Sequence, residues 1–138
     1  MNQTAHFYKA ETEKSVPCFV EDLIKLARAK DFIINNEPTM NMKEAFTRHG
    51  SPVSQDFDLH MIQLCKPVKA SKSLTANPER AVLMPKFVHV FSGQGKTQVR
   101  FLGHGPEQIT ELVKDDPEFP ESLSKTYKGI RSIIDQAL

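Results

Sequence analysis

Apolar residues alternate with polar ones in some stretches of this 138-residue chain and recur every three or four positions in others. These two periods divide it into strands and helices. Residues 5–11, AHFYKAE, alternate and predict a strand. Ser15 then stands as a helix N-cap, and Pro17 is tolerated in the first turn, where its missing N–H has no intrahelical partner. Val16, Phe19, Val20, Leu23, Ile24 and Ala27 follow at helical spacing as one apolar stripe, while Glu21, Asp22, Lys25 and Arg28 face water. DFIINNEP, residues 31–38, predicts a second strand stopped by Pro38.

The pattern from Thr39 to Asp56 is irregular, with a helical turn at MKEAF (42–46) broken by His49-Gly50-Ser51-Pro52. FDLHMIQLC (57–65) predicts a strand, followed by a short helix that opens at Pro67 and closes near Asn77-Pro78. AVLMPKFVHVF (81–91) and KTQVRFL (96–102) predict two strands separated by Ser-Gly-Gln-Gly. Residues 107–114 and 120–138 read as helix, the latter with Leu123, Tyr127, Ile130 and Ile134 on one face. Gly129 costs that helix about 1 kcal/mol relative to alanine, which its length offsets. The order β-α-β-β-α-β-β-α, with adjacent strands and helices at the ends, predicts an α+β fold. Its antiparallel sheet would have about five strands, with helices packed on one face.

Composition narrows the class without naming a reaction. The chain fits one domain able to bury a single core, and 39% hydrophobic with 25% charged residues is ordinary for a folded protein. A net charge of +1 gives no global field to recruit nucleic acid or an anionic membrane. The N-terminal stretch lacks the apolar core of a secretion signal, and no apolar run approaches the ~20 residues of a membrane span. Cys18 and Cys65 do not make a disulfide framework and read as free thiols of a reducing cytoplasm, with a Cys18–Cys65 bridge as the alternative.

VFSGQGKTQV (90–99) invites comparison with a phosphate-binding loop. Such a loop requires G-x-x-x-x-G-K-[ST] between a strand and a helix. Counting back from Gly95, the first glycine falls at Val90, and Thr-Gln-Val-Arg-Phe after Lys96 alternates like a strand. No helix terminus is available to meet a phosphate. The glycines instead suit a tight hairpin turn that demands positive φ.

LCKPVKASKSLTANP carries the best candidate chemistry. Cys65 ends a strand just before a helix N-terminus, where the dipole and exposed N–H groups favour a thiolate or a bound anion. Lys66, Lys69 and Lys72 recur every three residues beside it and add positive charge. Against this, free cysteines often merely pack, and lysines on a short helix are often only a solvated face. Cys18 sees a similar dipole, opposed by Glu21 and Asp22.

At these residues the chain resembles a bacterial and archaeal family, domain of unknown function 302. The matching positions are Cys65-Lys66-Pro67, Ala70, Asn77-Pro78 and Met84-Pro85-Lys86, within a similarity covering roughly 15–103. Residues 104–138 then form a helical extension of the same single domain. Lys66 stands where the family often has asparagine, and Lys86 where it often has a second cysteine. A family activity needing both thiols would therefore be missing here. The resemblance implies a TATA-binding-protein-like α+β fold and a dimer, and brings no established activity or cofactor; the fold's link to DNA is analogy alone.

Pairing the two hairpin strands around Gly93-Gln94 sets His89 opposite Gln98, on one face with Phe87, Phe91 and Arg100. Val88, Val90, Val99 and Phe101 form the other, core face. His60, Ile62 and Leu64 share a face of their own strand. A sheet apolar on both sides needs a second cover: a dimer partner, a ligand, or the terminal helices. His60, His89 and Cys65 lack the close spacing of metal ligands, and Asp115, Asp116 and Glu118 read as solvated linker carboxylates. Basic residues are not interleaved with aromatics, so neither nucleic acid nor membrane is an expected partner. The leading expectation is a homodimeric small-ligand or anion binding module. Its site is Cys65, Lys66, Pro67 and Lys69, with His89 and Arg100 lining a second pocket and Phe87 and Phe91 at the dimer or pocket face. A redox or sulfur-transfer enzyme using Cys65, and a purely structural interaction domain, are the competing classes.

Overall fold

A computed structural model describes residues 5–84 and 86–138. Pro85, inside the Met84-Pro85-Lys86 motif, lies outside the described residues. The elements run β1 (Ala5–Thr12), α1 (Val16–Ala29), β2 (Ile33–Ile34), α2 (Met42–Arg48), β3 (Leu59–Cys65), α3 (Pro67–Ala76), β4 (Lys86–Gly93), β5 (Lys96–His104), α4 (Pro106–Leu112) and α5 (Phe119–Ala137). Short 3₁₀ turns occupy Glu37–Thr39 and Pro78–Leu83. The five strands form one antiparallel sheet in the order β1-β5-β4-β3-β2. The fold is α+β. Among the described residues no helix is long and apolar enough to cross a membrane.

One sheet face carries the core. Ile62, Val88, Val90, Val99 and Phe101 are fully buried there against the α1 stripe and α5. Ser15 caps α1 as its sequence predicts, accepting from the Cys18 N–H at 3.2 Å. Tyr127 of α5 meets Phe101 edge-on at 5.8 Å, and its hydroxyl is pushed up to about 12 by burial. Gly103 lets that ring approach the strand, since an added Cβ would stand 3.1 Å from Tyr127.

Three element boundaries, two of strands and one of a helix, differ from the sequence pattern, each for a local reason. The expected strand at 31–38 shrinks to Ile33–Ile34. Beyond it the Asn36 side chain takes over the edge of β3, donating to the Met61 carbonyl and accepting from the Gln63 N–H, both at 2.9 Å. Residues 81–83 belong to a 3₁₀ turn opened by Asn77 and Pro78, so β4 starts at Lys86 rather than Ala81. MKEAF extends to a seven-residue helix because Asn41 caps it, accepting from the Lys43 and Glu44 N–H groups.

The Gly-Lys-Thr stretch is a hairpin. Gln94 and Gly95 take φ of +55° and +76°, the pair of left-handed residues of a two-residue turn, while Gly93 stays in the strand. Lys96 reaches back to Glu11 and Glu13 on and beside β1, both at 3.4 Å. The pivot lies one residue later than expected, so His89 pairs with Arg100 and Phe91 with Gln98. A slip of two in partner leaves every side chain on its expected face.

That second face presents Phe7, Leu102, Phe87, His89, Phe91 and Leu59, with Phe7 60% and Leu102 51% exposed. The terminal helices pack on the opposite side and do not cover it. His60 lies with the core, 9% exposed, so it and His89 fall on opposite faces. Among the described residues no three His, Cys, Asp or Glu side chains come together to hold a metal.

Candidate functional site

Where β3 ends and α3 begins, the chain opens a cleft of about 290 Å³ between α3, the 3₁₀ turn at 78–83, the start of β4 and the first half of α5. Cys65, Lys66 and Lys69 line it together. Lys86 lines it too. Pro67 is the first residue of α3 and is exposed, setting the helix start rather than the wall; Lys72 also faces water. No side chain caps α3, so its first-turn N–H groups add positive potential beside Cys65.

The lysines are held without acidic partners. Lys69 donates from Nζ to Thr126 Oγ1 at 2.7 Å, Lys66 Nζ sits 4.8 Å above the centre of the Phe32 ring, and Lys86 Nζ donates to the Met84 carbonyl at 3.0 Å. Among the described residues none of the three is ion-paired. Burial holds the Lys86 ammonium below the usual lysine range, with Cys65 opposing and Lys69 adding to the shift. Lys69 is lowered likewise by burial, then by Lys66 and Lys125. The apolar lining comes from Phe32, Leu74, Ala81, Met84, Phe119 and Leu123.

One wall is clamped from behind by a pair the sequence does not advertise. Arg80 donates to Asp116 through Nε at 2.6 Å and through its second guanidinium nitrogen at 2.8 Å, and Asn77 donates to the same carboxylate at 2.9 Å. Arg80 also lies 5.0 Å from the Phe119 ring centre and bonds the Ser73 hydroxyl at 3.0 Å. Asp116 is therefore a half-buried anchor whose side chain is only 6% exposed, not a solvated linker carboxylate. The Arg80 hydrogen bond, against the cost of burial, pulls its carboxyl down to about 2.

His89 and Arg100 do not join this cleft. They are cross-strand partners on the open sheet face, where with Phe57, Asp58 and Phe91 they line a shallow depression of about 490 Å³. Burial lowers His89 from the usual histidine value. Arg100 lies 5.3 Å from the Phe91 ring centre. Both cysteines are free; Cys18 is exposed on α1, its Sγ 4.0 Å from Asp22, and Cys65 is half-buried.

Lys86 and the α5 residues are what pattern reading misses. Periodicity places Lys86 inside a strand predicted over 81–91, with nothing to say that α5 would roof it. The one available signal is the resemblance itself, because Lys86 occupies the position of the family's frequent second cysteine. That position lines the same cleft as Cys65, so a lysine stands here in place of a second thiol.

No curated protein matches the chain. Among solved structures, the crystal structure of an uncharacterized conserved DUF302 protein from Bacillus stearothermophilus superposes with a TM-score of 0.76 at 17% identity, covering 96% of this chain and 98% of that one. At that identity the likeness speaks for the fold. The family described as Domain of unknown function DUF302 matches residues 8–137, from the first strand to the end of α5. Sheet, cleft and terminal helices thus lie within a single family unit, and the chain belongs to the DUF302 family.

Proposed function

We propose that the protein is a small-anion binding or sensing module whose site is the cleft bounded by Cys65, Lys66, Lys69 and Lys86. One observation carries the reading: three lysines, Lys66, Lys69 and Lys86, line a single cavity, and among the described residues no carboxylate lines it with them. A partly buried charge without a counter-ion is destabilising, and an anion from solution relieves it. The cavity is at the small end of the ~300–1,000 Å³ usual for small-molecule sites, which favours a metabolite-sized occupant over a polymer. Cys65 then lines the site as a thiol without a second cysteine beside it, which weighs against dithiol redox chemistry. Protection of Cys65 from iodoacetamide tests the reading, in a Cys18→Ser background. Bound anions should slow alkylation and raise the melting temperature, and Lys86→Met with Lys69→Met should abolish both effects. If no anion in a panel of carboxylates and phosphates does either, the reading is wrong.

The assembly proposed with it is a homodimer through the open sheet face. Its support is the exposure of Phe7 and Leu102 beside Phe87 and Phe91, and a mixed-sign rim of Lys9, Glu11 and Arg100 that suits self-pairing about a twofold axis.

A further inference from the structure

The cleft is polarised along its length. Lys66 and Lys69 stand at the start of α3, Lys69 bonded to Thr126 in the middle of α5. Leu74 lies in the last turns of α3, next to the Arg80 clamp that joins Ser73 to Phe119 at the start of α5. One end therefore holds the lysines, with Phe32 beneath Lys66, and the other is mainly apolar, with Leu74, Ala81, Phe119 and Leu123 beside Ser73 and Ser122. The step of five positions from Lys69 to Leu74 separates the two ends by about 7.5 Å along the helix axis. A small symmetric anion would fill the first end and leave the second empty. A neutral apolar molecule would do the reverse and leave Lys86 uncompensated.

Resting on the anion-binding reading, we infer that the occupant is an amphiphilic acid. Its acid group lies against Lys69 and Lys86, and a short hydrocarbon or aromatic body lies against Leu74, Phe119 and Leu123. Lysines recognise such a head as point charges, and the apolar walls supply the affinity that a bare anion lacks.

Calorimetric titration with octanoate, acetate, inorganic phosphate and 1-octanol separates this inference from the reading beneath it. Octanoate should bind at least tenfold more tightly than each of the other three. Lys69→Met should lower octanoate binding to the level of octanol. Leu74→Ser should weaken octanoate at least fivefold and leave acetate unchanged, with circular dichroism checking that both variants fold. Should acetate or phosphate bind as tightly as octanoate, the amphiphile is wrong and the anion site stands. Should octanol match octanoate, or no probe bind, both are wrong.

Discussion

Arg80 and Asp116 face each other through two parallel hydrogen bonds of 2.6 and 2.8 Å, joining segments 36 residues apart. Bidentate geometry and side-chain exposures of only 11% and 6% distinguish this pair from the surface ion pairs of the molecule. Its effect on stability has a definite direction with pH. Asp116 is depressed from 3.8 to about 2 in the folded chain, so its contribution is complete above about 4 and is lost as pH falls towards 2. Urea unfolding between pH 2 and 5 should show a steeper loss in the wild type than in Asp116→Asn. Asp116→Ala should cost about 1–3 kcal/mol at neutral pH, because the half-buried guanidinium loses its charged partner and keeps hydrogen bonds only to Ser73. Equal pH slopes in wild type and Asp116→Asn would refute the role assigned to the carboxylate.

Cys65 should react with iodoacetamide in the folded protein, since it is half-buried on an open cleft. Cys18, exposed on α1, should react faster, so Cys18→Ser is needed to isolate the slower signal. A Cys65 that stays unmodified until urea unfolds the chain would make it a packing residue and remove the thiol from the site.

Lys96→Ala should leave the protein without any nucleotide phenotype. The side chain is committed to Glu11 and Glu13, so its loss should produce a small destabilisation that fades at high salt. Saturable Mg-dependent ATP or GTP binding that disappears in this variant would overturn the hairpin reading.

Sedimentation at micromolar concentration should find a dimer, and Phe91→Glu should dissociate it. Full burial of a phenylalanine is worth about 1.5–3 kcal/mol, a large share of the ~5–15 kcal/mol by which domains are stable. An added carboxylate within such an interface would be buried unpaired. A wild-type protein that sediments as a monomer would refute the interface, since the terminal helices lie on the other face and offer no substitute cover.

Gly103→Ala should destabilise by about 1–3 kcal/mol, measured by thermal unfolding, because the new methyl presses on a ring already wedged against Phe101. An unchanged melting temperature would mean that Tyr127 has room to move.

What could be read from the chain was whatever repeats locally. The six buried positions of α1 and the alternation Val88, Val90 against Phe87, His89, Phe91 declare their faces by period alone. The end of β2 could not be read this way, because Asn36 bonds the neighbouring strand with its side chain instead of its backbone. Asp116 looked solvated because its partner is distant in sequence. At the candidate cleft, the placing of Cys65, Lys66 and Lys69 at one strand–helix junction was legible. The participation of Lys86, Phe119 and Thr126 depends on where α5 lands, which no local pattern specifies.

β4 serves both candidate surfaces with alternate residues. Lys86 belongs to the cleft on the helix side, while Phe87, the very next residue, belongs to the open face. Successive side chains of a strand point to opposite sides, so the two surfaces share one backbone ribbon with no spacer between them. Inserting a single residue after Lys86 would carry Phe87 and Phe91 into the core and turn Val88 and Val90 outward. Cleft and patch cannot drift independently in such a strand: its reading frame must be conserved for both together.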